Sequence, residues 1–200
     1  EKTIEAGGKP FIKWVCDARL VKQRRVDEFY HTCRQDFAWM ARNLPAKHYE
    51  IFPEPSCPLV TGRELLIQDY IEVLRIAKET IKEQDATIQV WNGGIGFFRT
   101  LWSLAEFYEE GLPLTDALNL HPFMHGNTWQ HVAARVSNLL AEAMWSMEVM
   151  RQVKPVIVTE SGAPTEWRGV DTYESLVERS GVPALTEEGQ AQLFIEVLEQ

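Results

Sequence analysis

Tyr49-Glu50-Ile51-Phe52 is a short run of strand-forming composition, and Pro53-Glu54-Pro55-Ser56 closes it with turn chemistry. Beyond the turn, Ile67, Tyr70, Ile71, Leu74, Ala77 and Ile81 recur at three- and four-residue steps, the spacing of one apolar stripe on a helix. Ala86 to Trp91 then reads as a second strand, ending in Asn92-Gly93-Gly94. Strand, turn, amphipathic helix and strand in succession over residues 49–92 make a β-α-β unit, whose crossover helix joins parallel strands.

The same alternation continues on both sides. Upstream, Val26, Phe29, Cys33, Phe37 and Met40 form a helical stripe that stops before Pro45. Before it, Gly7-Gly8 ends a helix tail over residues 1–6, and Pro10 leads into the strand-like Phe11 to Val15. Downstream, Phe98 to Glu110 is helical in pattern, and Ala117 to Phe123 is a strand ending in Met124-His125-Gly126. Val132, Val136, Leu139, Leu140, Ala143 and Met147 mark a long helix, and Pro155 to Thr159 a fifth strand. An irregular stretch from Ser161 to Pro183 precedes a last helix near Thr186, with Glu187 and Glu188 at its positive end. Strand starts at 11, 49, 87, 117 and 155 are separated by 38, 38, 30 and 38 residues, a rhythm without sequence repetition. Five such strands call for either an open doubly wound sheet or a closed (β/α)8 barrel.

The composition supports a packed domain. The chain has 200 residues, 45% of them hydrophobic, which is enough for a sizeable core. Its apolar runs are strand-sized, far short of the ~20 residues that span a bilayer. Lysine and arginine number 20 against 29 acidic residues, a formal charge of -9, so nucleic acid and anionic membranes are repelled and neutral partners favoured. Cysteines at 16, 33 and 57 match neither a zinc knuckle nor a redox pair and read as buried thiols. Cytoplasmic and secreted locations are both compatible with this composition, and it sets no oligomeric state.

Polar residues gather where the strands end: Glu54, Trp91 with Asn92, His121 with His125, and Thr159-Glu160-Ser161. In parallel β/α proteins these ends open onto one ligand-binding face. Alternation gives Glu50, Phe52 and Glu54 one parity, and Val156, Val158 and Glu160 another, so two glutamates are expected to face one pocket. No metal is expected, because His121 and His125 stand four apart on a strand and turn rather than on a helix. Asn92-Gly93-Gly94-Ile95-Gly96 lacks both the dinucleotide fingerprint and a P-loop lysine, so no nucleotide is expected either. Trp91 suits stacking on a sugar face or a place in the core, and Trp129 and Trp167 suit a subsite or a barrel cap.

Four of these segments, in order and spacing, resemble clan A glycoside hydrolases, nearest the β-xylosidase and iduronidase family numbered 39. Glu50-Ile51-Phe52-Pro53-Glu54-Pro55-Ser56 resembles the E-[IV]-W-N-E-P-N segment that ends the family's fourth strand. The helix from Asp69 to Lys82 and the strand ending Asn92-Gly93-Gly94 are similar to its fourth helix and fifth strand. Asp116 to Phe123 resembles the sixth-strand D-x-x-x-x-H-x-Y pattern, and Pro155-Val156-Ile157-Val158-Thr159-Glu160-Ser161-Gly162 the seventh-strand segment. The resemblance implies a single (β/α)8 TIM-barrel domain over residues 1–200, of which this chain covers about strands three to seven and is incomplete at both ends; a whole barrel needs ~250 residues.

It also implies a retaining glycoside hydrolase acting on a carbohydrate without a cofactor. Glu54 maps to the acid/base and Glu160 to the nucleophile, 106 residues apart, and Trp91, Asn92, His121 and Phe123 are the expected substrate-binding residues. Two positions depart from the pattern. Pro53 stands where the family has an asparagine that contacts the sugar 2-hydroxyl, and Phe123 stands where it has a tyrosine that orients the nucleophile. Those departures leave open an alternative, a catalytically impaired barrel that serves as a carbohydrate-binding or structural module.

Overall fold

The computed structural model describes residues 10–15, 19–55, 65–96, 104–122 and 129–160. Their elements are β1 (Ile12–Trp14), α1 (Arg19–Lys22), α2 (Val26–Asn43), β2 (His48–Ile51), α3 (Ile67–Gln84), β3 (Gln89–Asn92), β4 (Ile95–Gly96), α4 (Leu104–Glu106), β5 (Leu118–His121), α5 (Trp129–Val149) and β6 (Val156–Val158). Two compact units divide the chain, residues 1–121 with 146–159, and residues 122–145 with 160–200. All six strands lie in the first. In the second, Leu139 and Ala143 are buried along α5 while Met144 and Trp145 are exposed.

Every strand pairing in the two sheets is parallel. One sheet runs β1-β2-β3 and the other β4-β5-β6, and the bridge from Trp91 to Ala117 links them. The protein is therefore α/β with parallel strands, as the alternation predicts. The strand count differs: β4, two residues within the glycine-rich stretch, is too short for periodicity to reveal. A closed barrel is not displayed by the described residues, which form two three-stranded sheets. The expected helix over Phe98 to Glu110 also changes character where it is described. After α4 it widens into a π-turn over Phe107–Gly111 and tightens into a 3₁₀ turn over Leu112–Leu114. The last predicted helix, the Ser161 to Pro183 stretch, Cys16, Cys57, Phe123, His125 and Trp167 lie outside the described residues.

The helices cover one side of the first sheet. Trp14 of β1 packs against Phe37 of α2 with ring centroids 4.5 Å apart, and the Tyr49 hydroxyl donates to the Met40 carbonyl at 2.9 Å. Phe29, Cys33, Phe37 and Met40, the predicted stripe of α2, are all buried. So is the α3 stripe of Ile67, Tyr70, Ile71, Leu74, Ala77 and Ile81. Each large side chain in these stripes adds about 1.5–3 kcal/mol by leaving water. Burial, with Asp36 nearby, pushes the Cys33 thiol up to about 12, the behaviour of an inert core cysteine.

Side chains complete the sheet where the backbone ladder lapses between β3 and β5. Asn92 Nδ2 donates to the Asn119 carbonyl at 2.9 Å, and Asn92 Oδ1 accepts from the Asn119 amide at 2.8 Å. Asn119 Nδ2 donates in turn to the Asn92 carbonyl at 3.1 Å and to Thr159 Oγ1, just past β6, at 2.8 Å. At the opposite end of the strands, Lys82 from the last turn of α3 donates to the Ile88 carbonyl at 2.6 Å and pairs with Asp116 at 2.7 Å. Asp116 Oδ2 accepts from the Val90 amide at 2.8 Å.

Tyr70 performs a similar task from α3. Its fully buried hydroxyl donates to the Ile51 carbonyl at 3.0 Å and accepts from the Gly93 amide at 2.6 Å, tying the ends of β2 and β3 to the helix. Tyr70→Phe leaves a buried N–H and a buried C=O without that oxygen, so it is expected to lower unfolding free energy by about 1–3 kcal/mol in urea titrations. An unchanged midpoint would remove this role.

Candidate functional site

β2 ends at Ile51, and the chain then turns sharply. Phe52 and Glu54 both have left-handed backbones, with φ of 60° and 48°, on either side of Pro53. Non-glycine residues rarely adopt this region, and such strain gathers at functional sites. The turn also corrects the alternation argument, because Glu54 is not a continuation of the strand parity of Glu50 and Phe52. Its position comes from the turn instead.

Two glycines let β3 close on that turn. A Cβ on Gly93 would lie 1.7 Å from the Phe52 carbonyl oxygen and 2.8 Å from Pro55 Cδ. One on Gly94 would lie 1.8 Å from His121 Cδ2. The glycine-rich stretch therefore admits a backbone and an imidazole at contact distance, which explains its composition without any phosphate.

His121, the last residue of β5, is fully buried and stands between two carboxylates. Its Nε2 is 3.1 Å from Glu50 Oε1 and 2.9 Å from Thr159 Oγ1, and its Nδ1 is 3.3 Å from Glu54 Oε1. Both ring nitrogens have protein oxygens within hydrogen-bonding distance.

Glu50 is the member that sequence reasoning left without a role. It is fully buried, and its Oε1 accepts from the Gly94 amide at 3.1 Å. Its Oε2 has no hydrogen-bond partner among the described residues and lies 3.5 Å from Lys13 Nζ, which reaches over from the paired position on β1. Burial pushes the Glu50 carboxyl up, but His121, Thr159, the Gly94 amide and the Lys13 charge together outweigh it and hold the group below the ordinary range. Glu50 is thus a buried anion. An acidic residue inside the otherwise apolar Tyr49-Glu50-Ile51-Phe52 run was the available signal.

The remaining predicted residues are distributed unevenly. Glu54 is half-buried at the turn after β2, and Glu160 is half-buried, directly after Thr159 beyond β6. Asn92 is buried, with its amide nitrogen and oxygen engaged at the strand junction. Trp91 pairs with Glu50 across the ladder, yet its ring lies 4.9 Å from His48 and 6.3 Å from Phe11. Those neighbours precede Glu50 and Lys13 on their strands, so Trp91 leans away from the strand ends where Glu54 and His121 meet.

No family model matches the sequence, and no curated protein sequence matches it. Solved structures do. A calcium-binding mutant of β-glucuronidase 2 from Bacteroides uniformis matches at 15% identity and a TM-score of 0.61, over 98% of this chain and 22% of that one. A family 39 glycoside hydrolase from Bacteroides cellulosilyticus WH2 matches at 15% identity and a TM-score of 0.53, over 90% of this chain and 41% of that one. A GH26 β-mannanase from Bacteroides ovatus matches at 14% identity and a TM-score of 0.57, over 98% of this chain and 69% of that one. At such identities the likeness is one of fold: the chain has a glycoside-hydrolase-like α/β fold and spans only part of those proteins.

Two outcomes follow from the buried anion. Because the folded Glu50 carboxyl titrates below its unfolded value of about 4.3, its stabilisation is present above that pH and is lost as pH falls through the folded value. Urea midpoints measured stepwise below about pH 5 should therefore fall less steeply in Glu50→Gln than in the parent. Gly94→Ala must displace the His121 ring or the β3 backbone, at a cost of about 1–3 kcal/mol. A variant of parental stability would show that the close approach is dispensable.

Proposed function

We infer that this chain is part of a retaining glycoside hydrolase built on a (β/α)8 barrel, with Glu54 as acid/base and Glu160 as nucleophile. The observation that carries the reading is the Glu54 carboxylate set against buried His121 at the carboxyl ends of parallel strands, in a chain with a glycoside-hydrolase-like fold. Glu160 follows Thr159 at the end of β6, which opens on the same side. In parallel β/α folds that side holds the ligand.

The chemistry needs a carboxylic acid and a carboxylate flanking one glycosidic bond. Glu54 gives its proton to the leaving oxygen as the Glu160 carboxylate bonds to the anomeric carbon and the bond to that oxygen breaks. Glu54, now ionised, then takes a proton from water, whose oxygen displaces Glu160 and restores the anomeric configuration. The carboxyl groups of Glu54 and Glu160 should stand about 5–5.5 Å apart for this course, whereas about 6.5–9.5 Å corresponds to inversion. The substrate is a carbohydrate or glycoside, and no cofactor enters.

A second reading, a carbohydrate-binding barrel without turnover, is favoured by Pro53, which has no side-chain group for the sugar 2-hydroxyl. One experiment separates the two. The full-length protein is treated with fluoroglycosides of xylose, glucose, galactose and uronic acids, which trap a covalent intermediate. Mass spectrometry should find the label on Glu160, and Glu160→Gln should take up none. Glu54→Gln should lower kcat/KM about 10²–10⁴-fold with poor leaving groups and far less with activated aryl glycosides. Sugar binding with neither label nor turnover would replace the hydrolase with the binding module.

A further inference from the structure

We propose that the outer flank of α2 around Trp39 is a second carbohydrate-binding site. It takes an acidic oligosaccharide, stacking one sugar ring on the indole and pairing ring carboxylates with Arg34 and Arg42. The site belongs to the helical layer and not to the strand ends, and it does not depend on the hydrolase reading.

A groove of about 560 Å³ runs along this flank, lined by His31, Arg34, Gln35, Ala38, Trp39 and Arg42. These positions recur at three- and four-residue steps, so they share one face of the helix, distinct from the buried stripe of Phe29, Cys33, Phe37 and Met40. Trp39 is 58% exposed there. A single exposed tryptophan needs no explanation by itself, but the polar groups around this one do. Gln35 lies one turn before it and Arg42 one turn after it, which sets a carboxamide and a guanidinium beside the indole. Half-buried Ala38 leaves the floor between them low.

The whole chain carries a formal charge of -9, yet this flank is locally positive. Arg34 and Arg42 stand two helical turns apart, ~12 Å along the axis, with Trp39 between them. Asp36 is the one acid lining the groove among the described residues, and its Oδ2 accepts from Trp14 Nε1 of β1 at 3.2 Å. Arg34 Nη2 stands 4.0 Å from Glu79 Oε2 of α3, and both side chains are exposed, so an entering carboxylate displaces only a weak pair. Arg42 Nε donates to the Ala38 carbonyl at 2.9 Å, which holds the guanidinium over the groove floor.

The chemistry of the flank selects its ligand. An indole face suits the C–H face of a pyranose, while guanidinium and carboxamide groups suit carboxylates and hydroxyls. A helical peptide needs a row of apolar anchors, whereas Trp39 and Ala38 are the apolar residues lining this groove among those described. Nucleic acid carries a dense run of charge that the field of the whole molecule opposes. A short acidic oligosaccharide instead feels charges within about 8 Å at physiological salt, so it meets the local arginines rather than the distant acids. Its carboxylates are spaced along a chain of rings, as Arg34 and Arg42 are spaced along the helix.

The test is a titration of the full-length protein with short oligogalacturonates and oligomannuronates, followed by the indole N–H signal of Trp39 in ¹H–¹⁵N NMR and assigned by its loss in Trp39→Phe. Binding should move that signal, and raised ionic strength should weaken it. Methyl-esterified oligomers, which keep the rings and lose the charge, should bind about tenfold more weakly or worse. Trp39→Ala and the double variant Arg34→Ala with Arg42→Ala should each lower affinity at least about tenfold, with parental urea midpoints because these side chains are exposed. An unmoved signal with every acidic oligomer, equal binding of the esters, or affinity indifferent to both variants overturns the site. An oligoglutamate bound as tightly as the sugars overturns it too, in favour of an acidic peptide. The comparison of acid with ester is made on the parent protein, so it decides the matter even where a variant fails to fold. Failure of the hydrolase reading is seen separately, in the absence of label and turnover, and leaves the Trp39 signal to speak for this flank alone.

Discussion

Buried carboxamides hold the two sheets together where backbone hydrogen bonds do not. Asn92 and Asn119 make three hydrogen bonds with each other across the gap between β3 and β5, replacing a stretch of ladder with side chains of matching donor and acceptor geometry. Asn119 also binds Thr159 through both its amide nitrogen and its oxygen. Thr159 in turn supports His121, so the imidazole beside Glu54 takes its position from a junction that serves the sheet. Apolar residues at 92 and 119 would pack but could not supply these directions. A half-satisfied network at that depth would be worse than none.

The cost of bringing charge into such a place is met locally. Glu50 lies beside a backbone amide, an imidazole, a hydroxyl and a lysine, and that set keeps it ionised despite complete burial. Close approach is what assembles the set. Gly94 presents its amide to Glu50 while its missing Cβ leaves room for the His121 ring, so one residue answers both a hydrogen-bonding and a steric demand. Gly93 does likewise toward Tyr70 and the Phe52 carbonyl. Alanine at either position would separate groups whose interaction depends on a few tenths of an ångström.

Where the chain repeats a period, its sequence is legible. The stripes of α2 and α3, and the strand runs at 12–14, 48–51, 118–121 and 156–158, follow from spacing, and parallel pairing follows from their alternation. Where one residue replaces another's task, periodicity is silent. β4 is two residues long, the π-turn at Phe107–Gly111 keeps an apolar pattern that an α-helix would also show, and Asn92 as a strand-junction clasp looks the same in sequence as Asn92 in a sugar pocket. Glu54 and His121 stand out in the sequence because they lie at strand ends, a positional cue that holds whatever the turn does. Glu50 does not stand out, because a strand interior suggests core, and a buried anion is visible only once Lys13 of β1, Gly94 after β3, His121 of β5 and Thr159 after β6 are assembled around it.

Proline at 53 can be understood from the same turn. It contributes no hydrogen-bonding side chain, so any contact the resemblance would assign to an asparagine there is absent. Its ring does restrict the chain between two residues held at positive φ, and Pro55 packs against Gly93 on the far side of Glu54. Two prolines flanking one carboxylate narrow the unfolded ensemble of that segment and offset part of the strain its left-handed backbone carries. The position of Glu54 thus rests on backbone restriction together with contact to a buried histidine, rather than on a continued β-strand. A side chain placed this way keeps its bearing toward His121 Nδ1 without depending on the strand register that positions Glu50.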